Sequence, residues 1–535
     1  MSHTPLMTLT ILTTSDVHGY LYPTDYRSSE VLPIGLARLA GLIEQEREQA
    51  DEVLLIDNGD LLQGTPMAYA AAMQEPIRAQ HPVIAAMNHL GYDAAVIGNH
   101  EFNYGKELLD EAMRQSAFRW LSANITTRDS GEPAYGSPYF VKKLRGGTGP
   151  KVAVLGATTH YIPNWERPEH IEGLEFKDAY ESVKAWVQEI RAAEQPDVLV
   201  VCYHGGFERD PEQGAPEEEE TGENQGYRVI SGIEGIDVLV TGHQHRRLAG
   251  VYGDVAYVQP GCFGQALGSI RLELVQNADG WRIARKDAAV LVPDRDAEPD
   301  RELLALAEQA ELATQAWLDQ PLGTADEGLA VEDSLTARMG DHPFVEFMNR
   351  VQIEASGVQI SCTAIFSDAS RGFSGAITMR DIISNYPFPN TLKVLRVSGR
   401  DIKEALEKSA AYWTIGEDGS LQVHPSFTEP KPQPYNYDMW EGIRYRFNIA
   451  RPIGERVEDL QADDQPLNLA DTYEVVMNNY RAAGGGEYAM FRGKPVVREL
   501  QMDMVELLAD YVLKHRHIPA SCDRNWSVYI SDTNS

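Results

Sequence analysis

Side chains that can bind metal ions follow short apolar runs at five places in the first half of the chain. They are Asp16 and His18 in SDVHG, Asp60 in DNGD, Asn99 and His100 in GNHE, His204 in YHGG, and His243 and His245 in GHQH. Imidazole, carboxylate and amide oxygen are donors that hard-to-borderline divalent cations bind. A single Asp-Gly or Asn-Gly pair is usually a turn, but five such elements together predict a metal centre.

The apolar runs before these residues have the composition of buried strands. Each is rich in Val, Ile and Leu and ends in polar or glycine-rich residues, as in LTILTTSD, EVLLIDNGD, AAVIGNHE, KVAVLGATTH, DVLVVCYHGG and DVLVTGHQH. Helical patterns lie between several of them, such as GLARLAGLIEQEREQA and AYESVKAWVQEIRAAE. Alternating strands and helices predict an α/β domain that binds ligands at the carboxyl ends of its strands. Side chains far apart in sequence can therefore converge there.

The length of 535 residues predicts at least two domains. We expect the first domain to span residues 1–295, followed by a charged linker with a helix over 296–340. A second α/β region is expected over 341–535. The acidic stretch 212–226 has too few apolar residues to pack, so it is predicted to be a solvated loop without a functional role.

The composition restricts the partners and the cellular setting. A formal net charge of -33 disfavours binding to polymeric nucleic acid or anionic membranes, which are themselves polyanionic. No apolar run reaches the ~20 residues of a membrane-spanning helix. The start lacks the basic region of a signal peptide, and the four cysteines are widely spaced without a CxxC pair. We therefore expect reduced thiols and a cytoplasmic protein; the sequence gives no indication of an oligomeric state.

The order DxH, GD, GNHE, H and GHxH resembles the pattern of the calcineurin-like metallophosphatases over roughly residues 8–295. The resemblance implies a four-layer α/β/β/α domain that holds two divalent metal ions. The residues that match the family's ligands are Asp16, His18 and His245 for one ion, Asn99, His204 and His243 for the other, and Asp60 as the bridge. His100 matches the residue that protonates the leaving oxygen or stabilises the phosphoryl group. The donor set leaves the ions open among Zn, Mn, Co and Fe.

A dinuclear site of this kind hydrolyses phosphoesters by direct attack of water. Two cations about 3.5–4 Å apart bind the phosphoryl oxygens and lower the pKa of a bound water to near neutrality. The metal-bound hydroxide attacks in line, and the ions neutralise the charge on the equatorial oxygens. Proton donation by His100 to the departing alkoxide would contribute about 100- to 10,000-fold. No serine or cysteine nucleophile is required.

The second half carries motifs that resemble the C-terminal α/β domain of bacterial nucleotidases. YPFPNTLKVLRVSGRDIKEALEKSA, YNYDMWEGIRYRF and VVMNNYRAAGGGEYAMF are similar to segments of 5′-nucleotidases and, more closely, of 2′,3′-cyclic-nucleotide 2′-phosphodiesterase/3′-nucleotidases. The family stacks the nucleobase between two aromatic rings, which correspond by motif to Phe388 and Tyr480. Such stacking contributes ~1–3 kcal/mol and tolerates any base. Arg371 stands roughly where 5′-nucleotidases have an arginine that binds phosphate or sugar.

Asn103 favours the cyclic-phosphodiesterase branch of this family. 5′-Nucleotidases usually have aspartate at this position, where it pairs with the catalytic histidine. An amide can orient His100 through a hydrogen bond but cannot stabilise an imidazolium by charge. The sequence therefore predicts hydrolysis of small nucleotides, namely nucleoside 2′,3′-cyclic phosphates and 3′-nucleotides. The alternatives are a 5′-nucleotidase or nucleotide-sugar hydrolase and, from another class, a non-catalytic nucleotide-binding scaffold, which the seven intact ligand positions disfavour.

Overall fold

The computed structural model describes residues 6–27, 30–164, 166–217, 220–278, 280–388, 390–428, 432–500 and 502–531. The chain divides into two compact units, Met1–Gln315 and Ala316–Ser535. The boundary between them falls inside residues 296–340, the stretch that the sequence assigns to a linker and a helix. Each unit has its own sheets and helices.

Two six-stranded sheets form the centre of the first unit. In edge-to-edge order, the strands of one sheet are Gly280–Leu291, Leu267–Asn277, Leu6–Thr14, Glu52–Asp57, Ala94–Val96 and Arg119–Leu121. Those of the other are Arg247–Tyr252, Val255–Pro260, Val238–Thr241, Val198–His204, Lys151–Thr158 and Tyr139–Lys143. A small sheet pairs Ile125–Thr127 with Leu174–Phe176. Four consecutive strands in each large sheet are parallel, so their carboxyl ends lie along one edge of that sheet.

Side chains along the central strands alternate between different apolar cores. On one strand, Leu54 lies in a core shared by the two sheets, whereas Leu55 packs with the helices outside the first sheet. On another, Cys202 lies in the shared core and Tyr203 in a third core beneath the helices of the second sheet. Three cores separate four layers, which confirms the predicted α/β/β/α arrangement.

Helices cover the outer faces of both sheets. Leu36–Gln49 buries Leu36, Leu39 and Ile43, the spacing of an amphipathic helix with one apolar stripe. The other helices that begin in this unit are Pro66–Met73, Glu75–Arg78, Pro82–Leu90, Lys106–Gln115, Leu144–Gly147, Ala179–Ala193, Gly226–Gly232, Arg301–Leu306 and Glu308–Leu318. Short 3₁₀ helices are formed by His100–Phe102, Ile162–Asn164 and Pro168–Ile171.

A mixed five-stranded sheet forms the centre of the second unit. Its strands, in edge-to-edge order, are Met439–Glu441, Ile360–Thr363, Thr472–Asn478, Leu392–Ser398 and Val496–Leu500. Smaller sheets are formed by Gly375–Thr378 with Pro321–Ala325 and His517–Ile518, by Gln465–Pro466 with Val457–Ala462, Arg444–Asn448 and Trp526–Tyr529, and by Trp413–Ile415 with Leu421–Val423. The α-helices are Ser334–Ala337, Pro343–Ser356, Met379–Asn385, Gly399–Ala410, Asn479–Ala482 and Met504–His515. The 3₁₀ helices are Glu327–Leu329, Pro425–Phe427, Pro434–Asn436, Gly485–Glu487 and Ala489–Phe491.

The four cysteines are all free thiols, of which Cys202 and Cys362 are buried. Burial raises the pKa of the Cys202 thiol, so this neighbour of His204 is a protonated core residue rather than a nucleophile. Over the described ranges, no helix is both long enough and apolar enough to cross a membrane.

Candidate metal centre

The seven side chains predicted as metal ligands gather where the parallel strands of the first unit end. Two groups of them have donor atoms that all lie within 4.8 Å of one another: Asp16, His18 and His245 in one, and Asp60, His204 and His243 in the other. Asn99 joins the second group, since its Oδ1 is 3.1 Å from His204 Nε2 and 3.0 Å from His243 Nδ1. We call these seven side chains the strand-end cluster.

Asp60 lies between the two groups. Its Oδ2 atom is 3.2 Å from His204 Nε2 and 3.9 Å from His18 Nε2. Its Oδ1 atom accepts a hydrogen bond from the His100 N–H at 2.9 Å. Position 98 requires glycine, because a Cβ on Gly98 would come within 2.3 Å of this Oδ1. One carboxylate therefore faces imidazoles of both groups, which is the position that a bridging ligand needs.

Backbone carbonyls fix the orientation of two imidazole rings. Gln63 O lies 3.0 Å from His18 Nδ1, and Asn58 O lies 2.7 Å from His204 Nδ1. Because a carbonyl can only accept, each Nδ1 carries a hydrogen and each Nε2 is the atom directed at the cluster. The Nε2 of His18 is 3.1 Å from the Nε2 of His245, so these two ring nitrogens face the same small space.

The acidic stretch 212–226 is not a solvated loop along its whole length, and the sequence prediction was wrong there. Glu223 Oε1 is 2.9 Å from His243 Nε2, which leaves His243 Nδ1 to face the cluster. Asn224 is buried, and its Oδ1 accepts a hydrogen bond from the Gly206 N–H at 2.5 Å. Composition alone does not reveal this, because polar contacts rather than apolar packing hold the end of the segment.

Left-handed backbone conformations are concentrated in the strand-end cluster. Five of its seven residues have positive φ angles: Asp16 (53°), His18 (50°), Asp60 (62°), His243 (68°) and His245 (59°). This conformation costs a non-glycine residue about 1–2 kcal/mol. Backbone strain of this kind persists where surrounding contacts fix the chain, and it concentrates at ligand sites.

Glu101 supplies one set of these fixing contacts. Its buried carboxylate accepts hydrogen bonds from the N–H groups of Asp60 at 2.9 Å, Leu61 at 2.6 Å and Gly98 at 2.6 Å. Burial raises the pKa of Glu101, with a further contribution from the Asp60 carboxylate. The side chain ties the turn after the second strand to the turn after the third. Glu101, the glutamate of GNHE, therefore fixes the two turns relative to each other. No role was predicted for it from the sequence.

Burial and charge together set the ionisation of the cluster. Burial would raise the pKa of Asp60, but His204 and His100 more than offset it and hold the pKa well below its usual range. Burial lowers the pKa of His18 to about 3, so its ring is neutral. Burial also disfavours a charge on His204, yet the facing Asp60 carboxylate raises the pKa of His204 to about 10. The Asp60 carboxylate is anionic, and positive charge is stabilised beside it.

The donor set fits two divalent cations. Four imidazoles, two carboxylates and one amide oxygen converge in two adjacent groups. The facing nitrogens of His18 and His245 repel each other unless a proton or a cation lies between them. Imidazole, carboxylate and amide donors of this kind suit first-row divalent metals. The acceptors behind the rings match the outer contacts that orient metal-binding histidines in proteins.

His100 and Asn103, the predicted catalytic pair, lie beside the cluster. The His100 ring centroid is 5.1 Å from that of His18, and His100 Nδ1 is 2.5 Å from Asn103 Oδ1. Asn103 in turn donates from Nδ2 to Glu166 Oε2 at 2.8 Å. Glu166 was not predicted as a site residue, because it belongs to no motif and only the tertiary fold brings it here.

Phe388 and Tyr480, the predicted base-binding rings, are 37% and 45% exposed in the second unit. The Phe388 ring meets Tyr435 edge-on, with centroids 5.9 Å apart. Burial raises the pKa of Tyr480. Tyr435 begins the YNYDMWEG motif but was not predicted as a site residue. Arg371 is exposed, and its backbone N–H donates to Asn385 Oδ1 at 3.1 Å.

A buried ion pair supports the loop that carries Tyr480. Arg481 donates to both oxygens of Asp438, at 2.7 and 3.0 Å, and both side chains are at most 3% exposed. The guanidinium also lies over the Tyr488 ring, 3.8 Å from its centroid. Bidentate pairs of this kind have a defined geometry, so the backbone next to Tyr480 is firmly held.

A second group of acidic side chains lies in the second unit. Asp341, Glu346, Glu441 and Asp523 each place an oxygen within 4.8 Å of the others, and we call them the carboxylate cluster. Burial, reinforced by Asp523 and Asp341, raises the pKa of Glu441 to about 8. Burial likewise raises the pKa of Asp341 to about 6. Arg350 forms an ion pair with Glu346, and the cluster contains no histidine.

Family comparisons divide the chain in the same way as the fold. Residues 9–247 match the calcineurin-like phosphoesterase family, and residues 321–493 match the 5′-nucleotidase C-terminal domain. Calcineurin-like phosphoesterases bind divalent metals, and the first unit carries two candidate metal groups. The two halves are thus similar to two domains that are known from metal-dependent phosphoesterases.

Individual relatives align over nearly the whole chain. The chain is 28% identical to the trifunctional nucleotide phosphoesterase protein YfkN of Bacillus subtilis, over 100% of this chain and 40% of that protein. It is 28% identical to the 2′,3′-cyclic-nucleotide 2′-phosphodiesterase/3′-nucleotidase of Yersinia enterocolitica, over 97% of this chain and 87% of that protein. The solved structure of a Staphylococcus aureus protein described as a candidate 5′-nucleotidase is 37% identical, with a TM-score of 0.72, and the match covers 97% of this chain and 99% of that one. The chain therefore belongs to the family of hydrolases in which a calcineurin-like phosphoesterase domain precedes a 5′-nucleotidase C-terminal domain.

Proposed function

We propose that the chain hydrolyses nucleoside 2′,3′-cyclic phosphates and then the resulting 3′-nucleotides. The observation that carries this proposal is the pairing of His100 with the amide of Asn103, at 2.5 Å, rather than with a carboxylate. The relative from Yersinia enterocolitica, which bears both activities in its name, supports it over 97% of this chain. In the first reaction water adds to phosphorus and the P–O2′ bond breaks, and in the second the P–O3′ bond breaks.

The strand-end cluster is proposed to hold two divalent ions, of Zn, Mn, Co or Fe. In this assignment Asp16, His18 and His245 bind one ion and Asn99, His204 and His243 bind the other, with Asp60 between them. When bound, the ions would activate water and neutralise charge on the phosphoryl oxygens. The positive φ angles and the acceptors behind the rings support this assignment, because they hold the donors in place before an ion arrives.

His100 is proposed to protonate the ribose oxygen that leaves phosphorus. Its Nδ1 faces Asn103, so Nε2 is the ring atom available to substrate. To give up a proton there, the ring must carry hydrogens on both nitrogens, and it keeps the Nδ1 hydrogen after the transfer. Its backbone N–H bonds to Asp60, which ties the position of the ring to the carboxylate between the two metal groups. Proton donation of this kind contributes about 100- to 10,000-fold to the rate.

Phe388 and Tyr480 are proposed to stack on the nucleobase, with Arg371 as a contact to sugar or phosphate. The exposure of the two rings and the edge-on contact of Phe388 with Tyr435 support this role. Stacking would contribute ~1–3 kcal/mol with little selection among bases. A planar apolar base is the natural occupant of such rings.

The test is phosphate release and product analysis on matched adenosine substrates. The metal-reconstituted chain is given adenosine 2′,3′-cyclic phosphate, adenosine 3′-phosphate and adenosine 5′-phosphate under the same conditions. The proposal expects 3′-phosphate to accumulate and then decline when the cyclic substrate is used, with at most about 10% as much turnover of the 5′-phosphate. His100→Gln is the matched control, because it leaves the seven ligands intact and should suppress both steps.

A 5′-nucleotidase is the second candidate. The 37% identity to the Staphylococcus aureus protein, over nearly the full length of both chains, favours it. Dominant release of phosphate from the 5′-nucleotide would establish this activity and reject the cyclic-phosphodiesterase proposal. Absence of release from all three nucleotides by chain that carries its metal ions would reject both.

A further inference from the structure

We propose that Glu166 is a positioning residue that orients the Asn103 amide, so that a hydrogen-bond acceptor faces His100 Nδ1. The proposal rests on the catalytic role given to His100 above, but not on which nucleotide is the substrate. Glu166 is 7% exposed and lies between the short helices Ile162–Asn164 and Pro168–Ile171. Nothing in its sequence surroundings marks it as functional.

Both oxygens of Glu166 have assigned partners. Oε2 accepts a hydrogen bond from Asn103 Nδ2 at 2.8 Å. Oε1 accepts one from the Arg167 N–H at 2.8 Å and lies 2.9 Å from His170 Nδ1. The carboxylate is therefore held from behind by two donors, and its remaining oxygen is directed at the Asn103 amide.

The Glu166 carboxylate determines which end of the Asn103 amide faces His100. An asparagine side chain has a donor end and an acceptor end of nearly equal size, so a half-turn exchanges them. A carboxylate can only accept, and it therefore keeps the Nδ2 end of Asn103 facing Glu166. The Oδ1 end must then face His100 Nδ1, which has to carry a hydrogen. His100 Nε2 is left as the atom directed away from this chain of contacts.

The two positions form a matched pair. If position 103 carried aspartate, its carboxylate would meet the Glu166 carboxylate at the 2.8 Å separation now occupied by a hydrogen bond, and the two would repel. If position 166 carried glutamine, its oxygen would stay with the two donors behind it. Its amide nitrogen would then face Asn103 and turn that amide around, so that His100 Nδ1 would meet a donor.

The test is a double-mutant cycle with Asn103→Asp, Glu166→Gln and the double variant. Each single change should lower kcat by about 10- to 100-fold with little change in KM. Asn103→Asp sets two carboxylates against each other, and Glu166→Gln turns the acceptor end of Asn103 away from His100 Nδ1, which holds its hydrogen during proton transfer. The double variant should recover to within about threefold of wild type, since the carboxylate at 103 then accepts from both neighbours. The assay uses whichever of the three adenosine nucleotides the wild-type chain hydrolyses fastest.

Two further measurements separate positioning from a general structural role. Nitrogen-15 NMR of the zinc-loaded chain should show hydrogen on His100 Nδ1 in wild type and on Nε2 in Glu166→Gln, with the His100 signals identified from His100→Gln. Metal content should be equal in all four chains. The exposed Glu169, in the neighbouring short helix, is the control, and Glu169→Gln should turn over as wild type does.

If kcat of the double variant fell by the product of the two single losses, the proposal would be overturned. An unchanged His100 tautomer in Glu166→Gln would overturn it as well. Either result would leave the substrate assignment untouched, because the three-nucleotide comparison does not depend on Glu166. If the wild-type chain instead preferred the 5′-nucleotide, the double-mutant cycle could still be read, because its assay uses the substrate that is hydrolysed fastest.

Discussion

The strand-end cluster and the carboxylate cluster both crowd acidic side chains together, with opposite effects on charge. In the first unit, imidazoles face Asp60 and hold its pKa below the usual range in spite of burial. In the second unit, burial and neighbouring carboxylates raise the pKa of Glu441 to about 8. The same type of side chain is thus anionic in one cluster and protonated near neutral pH in the other.

The backbone differs between the clusters as well. Five of the seven residues in the strand-end cluster have positive φ, whereas none of the four in the carboxylate cluster does. Hydrogen-bond acceptors stand behind three of the four histidines in the first cluster. The comparison indicates that oriented imidazole donors and a fixed backbone, rather than a concentration of carboxylates, distinguish the centre proposed for catalysis.

Asp60→Asn should cause the largest loss of metal binding and of phosphate release. The change keeps the shape of the side chain but removes the charge that faces His18 and His204. We expect metal binding to weaken and phosphate release to fall by at least about 1,000-fold, which corresponds to ~4 kcal/mol. The measurement is steady-state phosphate release at saturating metal.

Glu441→Gln is the matched control in the carboxylate cluster. It also replaces a carboxyl, here a half-buried one, by an amide of the same shape, and its turnover should stay within about twofold of wild type. A loss of turnover in Glu441→Gln comparable to that in Asp60→Asn would remove the contrast between the two clusters.

Glu223→Gln should have an intermediate effect. Loss of the carboxylate behind His243 weakens the hold on the ring, and changes of this kind typically lower metal affinity by about 10- to 100-fold. Competition with a metal-binding dye measures this affinity. Glu217, which pairs with Arg246 at the surface, is the control in the same acidic stretch, and Glu217→Gln should bind metal like wild type. Equal affinities for all three chains would show that Glu223 does not orient His243.

The smallest effect concerns stability and pH in the second unit. The pKa of Glu441 is raised from an ordinary value of 4.5 to about 8 in the folded chain, because the side chain is partly buried and faces Asp523, Asp341 and Glu346. Arg350 offsets part of this charge through Glu346. The contribution of Glu441 to the free energy of unfolding is therefore fully present below about pH 4.5. It is lost as the pH rises toward 8, since the unfolded state releases the proton more easily.

Glu441→Gln should abolish this pH dependence. At pH 8.5 the variant should exceed wild type by about 1–3 kcal/mol in the free energy of unfolding, with the range allowing for coupling among the carboxyls. At pH 5 the two should be nearly equal. Urea unfolding followed by tryptophan fluorescence at both pH values measures the difference, and a wild-type chain that becomes more stable from pH 5 to 8.5 relative to the variant would contradict the assignment.

The fold was predictable from sequence where apolar runs repeat and each ends in polar or glycine-rich residues. LTILTTSD, EVLLIDNGD and DVLVTGHQH each lie on a parallel strand of the first unit, and the four-layer arrangement follows from their alternation between cores. The second unit was predictable only as an α/β region. Its five-stranded sheet interleaves strands from distant parts of the chain, and no local pattern encodes that order.

The surroundings of the candidate site were less predictable than its central residues. The motif positions gather as the parallel topology requires, but Glu166 and Glu223 come from segments without a motif. The carboxylate cluster joins Asp341, Glu441 and Asp523 across about 180 residues of sequence. Contacts of this kind depend on tertiary packing, which composition and periodicity do not contain.

The metal content of the chain is the most direct test of the proposed dinuclear centre. Wild-type chain, reconstituted with Zn²⁺ or Mn²⁺ and freed of excess metal, should contain two ions by inductively coupled plasma mass spectrometry. Asp60→Asn should lose them, and Glu441→Gln should retain both. One ion or none in wild type would contradict a dinuclear centre, and a third ion that is kept by Asp60→Asn but lost by Glu441→Gln would contradict the difference drawn between the two clusters.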